Sequence, residues 1–385
     1  MSRPRLDLGF PHREAALPDS AVESLERTGA VTGEGALPLL SVVLPAYNEE
    51  ALLEKNVASI IDYLESLESE FRWEVIIVND GSRDATSEIA DRLAATHPDV
   101  ITVHHPRNFG LGQAMSYGFA NTAGDYVITL DMDLSYDVEH IGQLARTIRD
   151  GGARMVLASP YMEGGNIRNV PFLRRNLSIL GNRFLRYFAK GRFSTLTCMT
   201  RAYDGPFIRA LNLRAVGMDA MPETVYKAMI LNAAIDEIPA ELDWAPQLAV
   251  GKTRRSSMRI FRHILSTIFS GFIFRPFLYF IVPGILLGVF SAYVNYWVFV
   301  HYFEALTELR GSGQIATVTG GLALAYEQYP HTFVFGLMTA MLAIQLIGLG
   351  VLSLQSKQYY EELFHLGSRR VAGPAGARRN RQHAP

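Results

Sequence analysis

The chain has 385 residues, of which 49% are hydrophobic and only 19% charged, with a mean hydropathy of +0.10. That balance allows two or three domains and suits a chain lodged partly in lipid better than a wholly soluble enzyme. A formal net charge of −2 provides no global basic field, so no nucleic-acid partner is expected. The single cysteine, Cys198, excludes an intrachain disulfide and a cysteine-based zinc site.

Residues 1–38 mix charge, proline and glycine without periodicity and read as a mobile leader. From Leu39 to about residue 250, short apolar runs alternate with helical stretches. LLSVVLPAY precedes a helix over 49–67, WEVIIVND one over 84–96, VITVHH one over 112–123, and DYVITLDMD one over 138–150, before MVLAS. Five such runs predict an α/β fold, a mostly parallel sheet with helices on both faces, whose ligands sit at the carboxyl ends of the strands.

The last third differs in kind. The 28 residues from Pro276 to Phe303 carry no Asp, Glu, Lys or Arg, and neither do the 29 from Gln328 to Ser356. Each stretch exceeds the roughly 20 residues needed to cross a hydrocarbon core, so a two-helix membrane hairpin is expected over 276–356. Arg254, Arg255, Arg259 and Arg262 precede it and a basic tail, 357–385, follows, whereas the connecting loop offers only Arg310 and three glutamates. By the positive-inside rule the catalytic domain and both termini lie in the cytosol at a cytoplasmic membrane. Between sheet and span, 251–275 places Phe261, Ile264, Leu265, Ile268 and Phe272 on one helical arc opposite Arg259, Arg262 and His263, as a juxtamembrane helix lying in the interface would.

The strongest chemical signal is Asp131-Met132-Asp133, directly after the strand YVITL. Two carboxylates at a strand's end can converge on one hard divalent ion that also takes phosphate oxygens. Asn79-Asp80-Gly81-Ser82 and Pro45-Ala46-Tyr47-Asn48-Glu49-Glu50 close two other apolar runs, bringing acids, an amide and an aromatic ring to the same edge.

SVVLPAYNEE, VIIVNDGSRDAT, PRNFGLGQAMSYGFANTAGDYVITLDMDLS and ASPYMEGG resemble the family 2 inverting glycosyltransferases with the GT-A fold, nearest the polyprenyl-phosphate (dolichol-phosphate) mannose or glucose synthases. The resemblance implies a nucleotide-sugar donor, UDP- or GDP-linked, a polyprenyl-phosphate acceptor, and Mg²⁺ or Mn²⁺ on Asp131 and Asp133. It casts Pro45, Tyr47 and Glu49 as nucleobase and ribose contacts, Asp80 as the base-reading acid, and Arg107 with Asn108, Gly110 and Gly112 as the loop lining the donor. Where relatives carry Ser-Arg-Tyr with a phosphate-gripping arginine, this chain has Pro160. Arg174, Arg175 and Arg201, with Arg168 in reserve, then inherit the acceptor phosphate, and Lys252 and Arg254 match a segment that brings basic residues to the membrane surface. A hydroxyl acceptor would instead need a carboxylate base, for which Asp219 and Glu223 are the candidates. A non-catalytic membrane scaffold is the reading from another class, and the aligned acids argue against it. A homo-oligomer is compatible with all of these readings.

Overall fold

The computed structural model describes residues 36–188, 193–245, 275, 277–312 and 315–369. The leader before residue 36, the juxtamembrane stretch apart from Arg275, and the tail beyond Arg369 lie outside the described residues, and with them Lys252 and Arg254.

The sheet begins with β1 (Leu39–Ala46), β2 (Arg72–Asn79), β3 (Val100–His104) and β4 (Tyr126–Thr129), all mutually parallel where they pair. It is completed by β5 (Met155–Ser159), β7 (Arg201–Asp204) and β8 (Ile235–Pro239), giving the order β3-β2-β1-β4-β7-β5-β8. β1 is buried along nearly its whole length, as a strand covered on both faces must be, which is why its sequence is a continuous apolar run. β7 runs antiparallel to both β4 and β5. A two-stranded ribbon of β6 (Asn166–Arg168) and β9 (Glu241–Asp243) stands beside the sheet.

Helices α1 (Leu53–Glu65), α2 (Thr86–Thr96), α3 (Leu111–Ala120) and α4 (Glu139–Gly151) fill the crossovers. In α1 the buried residues Leu53, Asn56, Val57, Ile60, Ile61 and Leu64 recur at helical spacing, and each fully buried aliphatic contributes about 1.5–3 kcal/mol. One member of that stripe, Asn56, is polar. α5 (Phe172–Phe188), α6 (Gly205–Ala210) and α7 (Ala220–Ile230) follow.

The sequence-derived strands and crossover helices are present to within a few residues. β6 and β7 were not foreseen, because RAYD and NIR are too short and too polar to register as apolar runs. Beyond the sheet, α8 (Leu278–Gly311) and α10 (Pro330–Arg369) form a hairpin, with α9 (Val318–Gln328) between them. The expected loop is therefore partly helical. Thr317 caps α9 by accepting from the Gly320 amide. α8 and α10 are each long and apolar enough to cross a membrane, and only 11% of either apolar window is buried, so they are not core helices of a soluble domain. They touch through small residues: an added Cβ on Gly284 would lie 2.9 Å from Ile347, and one on Gly350 2.4 Å from Ile281. Between them Asn295 Nδ2 donates to the carbonyls of Ser291 (2.8 Å) and Gly336 (3.1 Å).

Candidate active site

Strand order reverses between β1 and β4, and in open α/β sheets ligands bind outside the carboxyl ends of the strands at such a point. Ala46 pairs with Asn79 and Asn79 with His104, so the loops after β1, β2 and β3 leave the sheet at one level. The β1 and β2 loops are laced together. Asn48 N donates to Ser82 Oγ (3.0 Å), Arg83 N to Asn48 Oδ1 (2.9 Å), Glu49 N to Thr86 Oγ1 (2.8 Å) and Ala85 N to Glu50 Oε2 (3.0 Å). Asn48 adopts φ 55°, a left-handed conformation that asparagine tolerates better than most residues. Pro45, Tyr47 and Glu49 sit half-buried on this edge.

Asp80 is 3% exposed and fastens the third loop. Its Oδ1 accepts from His105 Nδ1 (2.7 Å) and Phe109 N (2.9 Å), and Oδ2 from Gly110 N (2.8 Å). His105 in turn stacks on Tyr117 at 4.9 Å, and Arg107 lies over the Phe109 ring at 5.0 Å. Gly81, at φ +66°, has to be glycine, since an added Cβ would fall 2.2 Å from the Arg107 carbonyl carbon. Gly112 donates its amide to Val216 O (2.8 Å), and an added Cβ there would strike Ala215 O at 2.2 Å. The Arg107–Gly112 loop is thus clamped between Asp80 and the segment 214–216.

Asp131 and Asp133 leave β4 beside this loop cluster. Burial, and secondarily the Asp133 carboxylate, push Asp131 up to about 7. The turn is tied down on several sides: Asn56 Nδ2 donates to Met132 O (2.7 Å), Ser135 N to Asp133 Oδ1 (3.0 Å), and Leu134 N to Asp131 O (3.2 Å), with Leu134 at φ 49°. A branched residue in that conformation is strained, and such strain concentrates at functional turns. Two carboxylates one residue apart at a strand's end suit a hard divalent cation. Among the described residues no third His, Cys, Asp or Glu gathers with them, so other oxygen donors would have to complete an ion's shell.

The basic residues are placed less uniformly. Arg201 is 0% exposed, and its guanidinium is spent inward: Nε donates to Cys198 O (2.7 Å), Nη1 to Met221 O (2.8 Å) and Thr224 Oγ1 (2.7 Å), and Nη2 to Leu196 O (2.8 Å). That corrects the phosphate contact expected of it, because a charge so buried holds the fold. Arg168 pairs with Glu241 at 2.6 Å on the β6–β9 ribbon. Arg175 is exposed at the start of α5; Arg174 is on the same turn, its side chain outside the described residues. Glu223, a candidate base, accepts from the amides of Arg214 (3.1 Å) and Ala215 (2.8 Å) and pairs with Lys227 at 2.6 Å. Lys227 also donates to Asn212 O (2.6 Å). Glu223 therefore shapes the loop that backs Gly110 and Gly112. Cys198 is buried, which raises its thiol pKa.

Residues 41–208 match the model of Glycosyl transferase family 2. That stretch is a glycosyl transferase family 2 domain. The family 2 domain begins in β1, ends in α6, and contains all three loop clusters and Asp131-Met132-Asp133. Among curated proteins the chain is 32% identical over 185 residues to the glycosyltransferase AglD of Haloferax volcanii (48% of this chain, 29% of that one). It is 33% identical over 139 residues to a dolichol-phosphate mannosyltransferase of Pyrococcus furiosus (36% and 38%). Over 225 residues it is 28% identical to the polyprenol monophosphomannose synthase of Mycolicibacterium smegmatis (57% and 82%). The chain thus spans well under half the length of the first two. Among solved structures, the glucosyl-3-phosphoglycerate synthase of Mycobacterium tuberculosis in complex with Mn²⁺, uridine diphosphate and phosphoglyceric acid aligns with a TM-score of 0.44 at 20% identity, over 65% of this chain and 82% of that one.

Three residues that hold the family 2 domain's site together escaped the sequence reading. Asn56 was detectable as the one amide on an apolar helical stripe. His105 and Leu134 carry no such mark, since their roles come from a stacking partner and a backbone angle.

Proposed function

We propose that the chain is a membrane-bound inverting glycosyltransferase that moves one sugar from a UDP- or GDP-linked donor to polyprenyl phosphate. The observation that carries this reading is the Asp131-Met132-Asp133 turn at the switch point of the sheet, flanked by three interlocked loops and joined to an apolar hairpin. The relatives named as dolichol-phosphate and polyprenol-phosphate sugar transferases support the acceptor class.

Asp131 and Asp133 hold Mg²⁺ or Mn²⁺, whose chemistry, when bound, is to neutralise the diphosphate leaving group. Pro45, Tyr47, Glu49 and Asp80 line the nucleoside end, and the Arg107–Gly112 loop covers the donor. A lipid phosphate is anionic at neutral pH and needs no general base, which agrees with Glu223 being committed to Arg214, Ala215 and Lys227. Arg174 and Arg175 offset the repulsion between the two phosphates as they approach. Both ends of the hairpin, with the catalytic domain, face the cytosol. A second reading, transfer to a hydroxyl, rests on Asp219, whose Oδ1 accepts from Gly217 N at 3.0 Å and which would serve as the base. Membranes holding the protein, given labelled sugar nucleotides and extracted with organic solvent, separate the two. Label in a mild-acid-labile lipid supports the phosphate acceptor, and acid-stable glycolipid supports the hydroxyl.

A further inference from the structure

A cavity of about 620 Å³ lies where segment 214–219 and α7, just after the family 2 domain, meet the foot of α10. Its α10 wall is a single helical face: Leu349, Leu352, Ser353, Ser356, Lys357 and Tyr360 fall at i, i+3, i+4, i+7, i+8 and i+11. Leu349 belongs to the charge-free span and Lys357 is the first charge after it, about 12 Å further along the axis. The wall therefore passes from acyl depth to headgroup depth. The opposite wall brings Arg214, Asp219, Glu223 and Tyr226. The junction is built: Tyr226 Oη donates to Glu361 (3.2 Å), Lys357 lies 5.6 Å from the centre of the Tyr226 ring, and Lys227 lies 5.6 Å from that of Phe364.

The charges at and beside the lining are balanced: Arg214, Lys357 and Lys227 stand against Asp219, Glu223 and Glu361, with Lys227 paired to Glu223 at 2.6 Å and Lys357 to Glu361 at 3.5 Å. A phosphate monoester such as a polyprenyl phosphate would add about −1.5 to −2 with no opposite charge of its own. A phosphodiester carrying an ammonium group brings both signs and matches both walls. We propose that this cavity holds one zwitterionic phospholipid of the bilayer, phosphate against Arg214 and Lys357, ammonium against Asp219, and an acyl chain along Leu349 and Leu352. The occupant braces the 214–216 segment, and through it the Gly110–Gly112 part of the donor loop. This rests on the reading that the hairpin spans a membrane.

The test uses the full chain, extracted, delipidated and titrated with single lipids under native mass spectrometry. Phosphatidylethanolamine should bind once per chain and about tenfold or more tighter than phosphatidylglycerol, the difference expected of one lost charge-assisted contact. Ser356→Trp, which adds an indole to the cavity wall, should abolish that adduct. In phosphatidylethanolamine nanodiscs the same variant should weaken nucleoside diphosphate binding severalfold. Should Ser356→Trp fail to fold, Lys357→Gln should still lower phosphatidylethanolamine affinity about tenfold. Equal binding of the two phospholipids, an adduct unchanged in both variants, or one-for-one displacement of the phospholipid by polyprenyl phosphate would each overturn the proposal, the last assigning the cavity to the acceptor. Sugar transfer assayed on the same samples keeps the two readings apart, since failed lipid binding with transfer intact refutes only this one.

Discussion

Replacing Arg201 by methionine keeps most of the side chain's bulk and removes every hydrogen bond it donates. Three carbonyls, those of Leu196, Cys198 and Met221, would lose a buried charged donor, together with the Thr224 hydroxyl. An unsatisfied buried acceptor costs about 1–3 kcal/mol, and partial relaxation around three of them brings the expected loss to roughly 3–5 kcal/mol, at the severe end for a single substitution. A domain of some 200 residues loses about 2–4 °C of Tm per kcal/mol, so thermal unfolding in detergent should move down by roughly 6–20 °C. At a temperature where the variant stays folded, its apparent constant for polyprenyl phosphate should match that of the wild type. A variant with unchanged Tm and a raised acceptor constant would refute this reasoning and return Arg201 to the phosphate.

Asp133→Ala should cut transfer by orders of magnitude while leaving the Tm near its original value, and full activity in EDTA would rule out the metal. In metal-free protein Asp131 titrates at about 7 against an ordinary 3.8, so between those values the folded state keeps a proton that the unfolded state has released. Stability should therefore fall as pH rises from about 4 to 7 in EDTA, and excess Mg²⁺ should flatten the slope; a pH-independent Tm in EDTA would contradict the placement. Arg175→Ala should raise the apparent acceptor constant about tenfold to a hundredfold and leave nucleotide affinity unchanged, as calorimetry can check. Because Cys198 is buried, a Gly311→Cys variant should react with a membrane-impermeant maleimide only from the outer face, and cytosolic labelling would reverse the topology.

The donor half of the family 2 domain was legible because its signals are local. β1, β2 and β4 are continuous apolar runs, and each hands its last residue to an acid, an amide or a turn former. Asp131 and Asp133 could be placed for the same reason, one strand fixing both. The arginines could not, because a guanidinium's role depends on what surrounds it. Arg201 lies on a strand too short to see, between β4 and β5, and the carbonyls of Leu196 and Cys198 just before it and of Met221 in α7 consume it. Arg168 looked available until β9 brought Glu241 beside it. Glu223 carried the charge of a base, but only the path of the chain through 212–216 showed its carboxylate closed off.

The insertion of β7 between β4 and β5 also bears on how the chain is made. β1 to β4 can pair as soon as residue 129 has left the ribosome, yet the free edge of β4 waits for Arg201–Asp204. At about 5–20 residues per second that edge stands open for roughly 4–15 s during synthesis. An open strand edge is a template for pairing with another chain, and this one is only four residues long with an acid on its flank at either end, Asp125 and Asp131. The Asp131 carboxylate proposed as a cation ligand thus also helps to guard a nascent sheet against its neighbours.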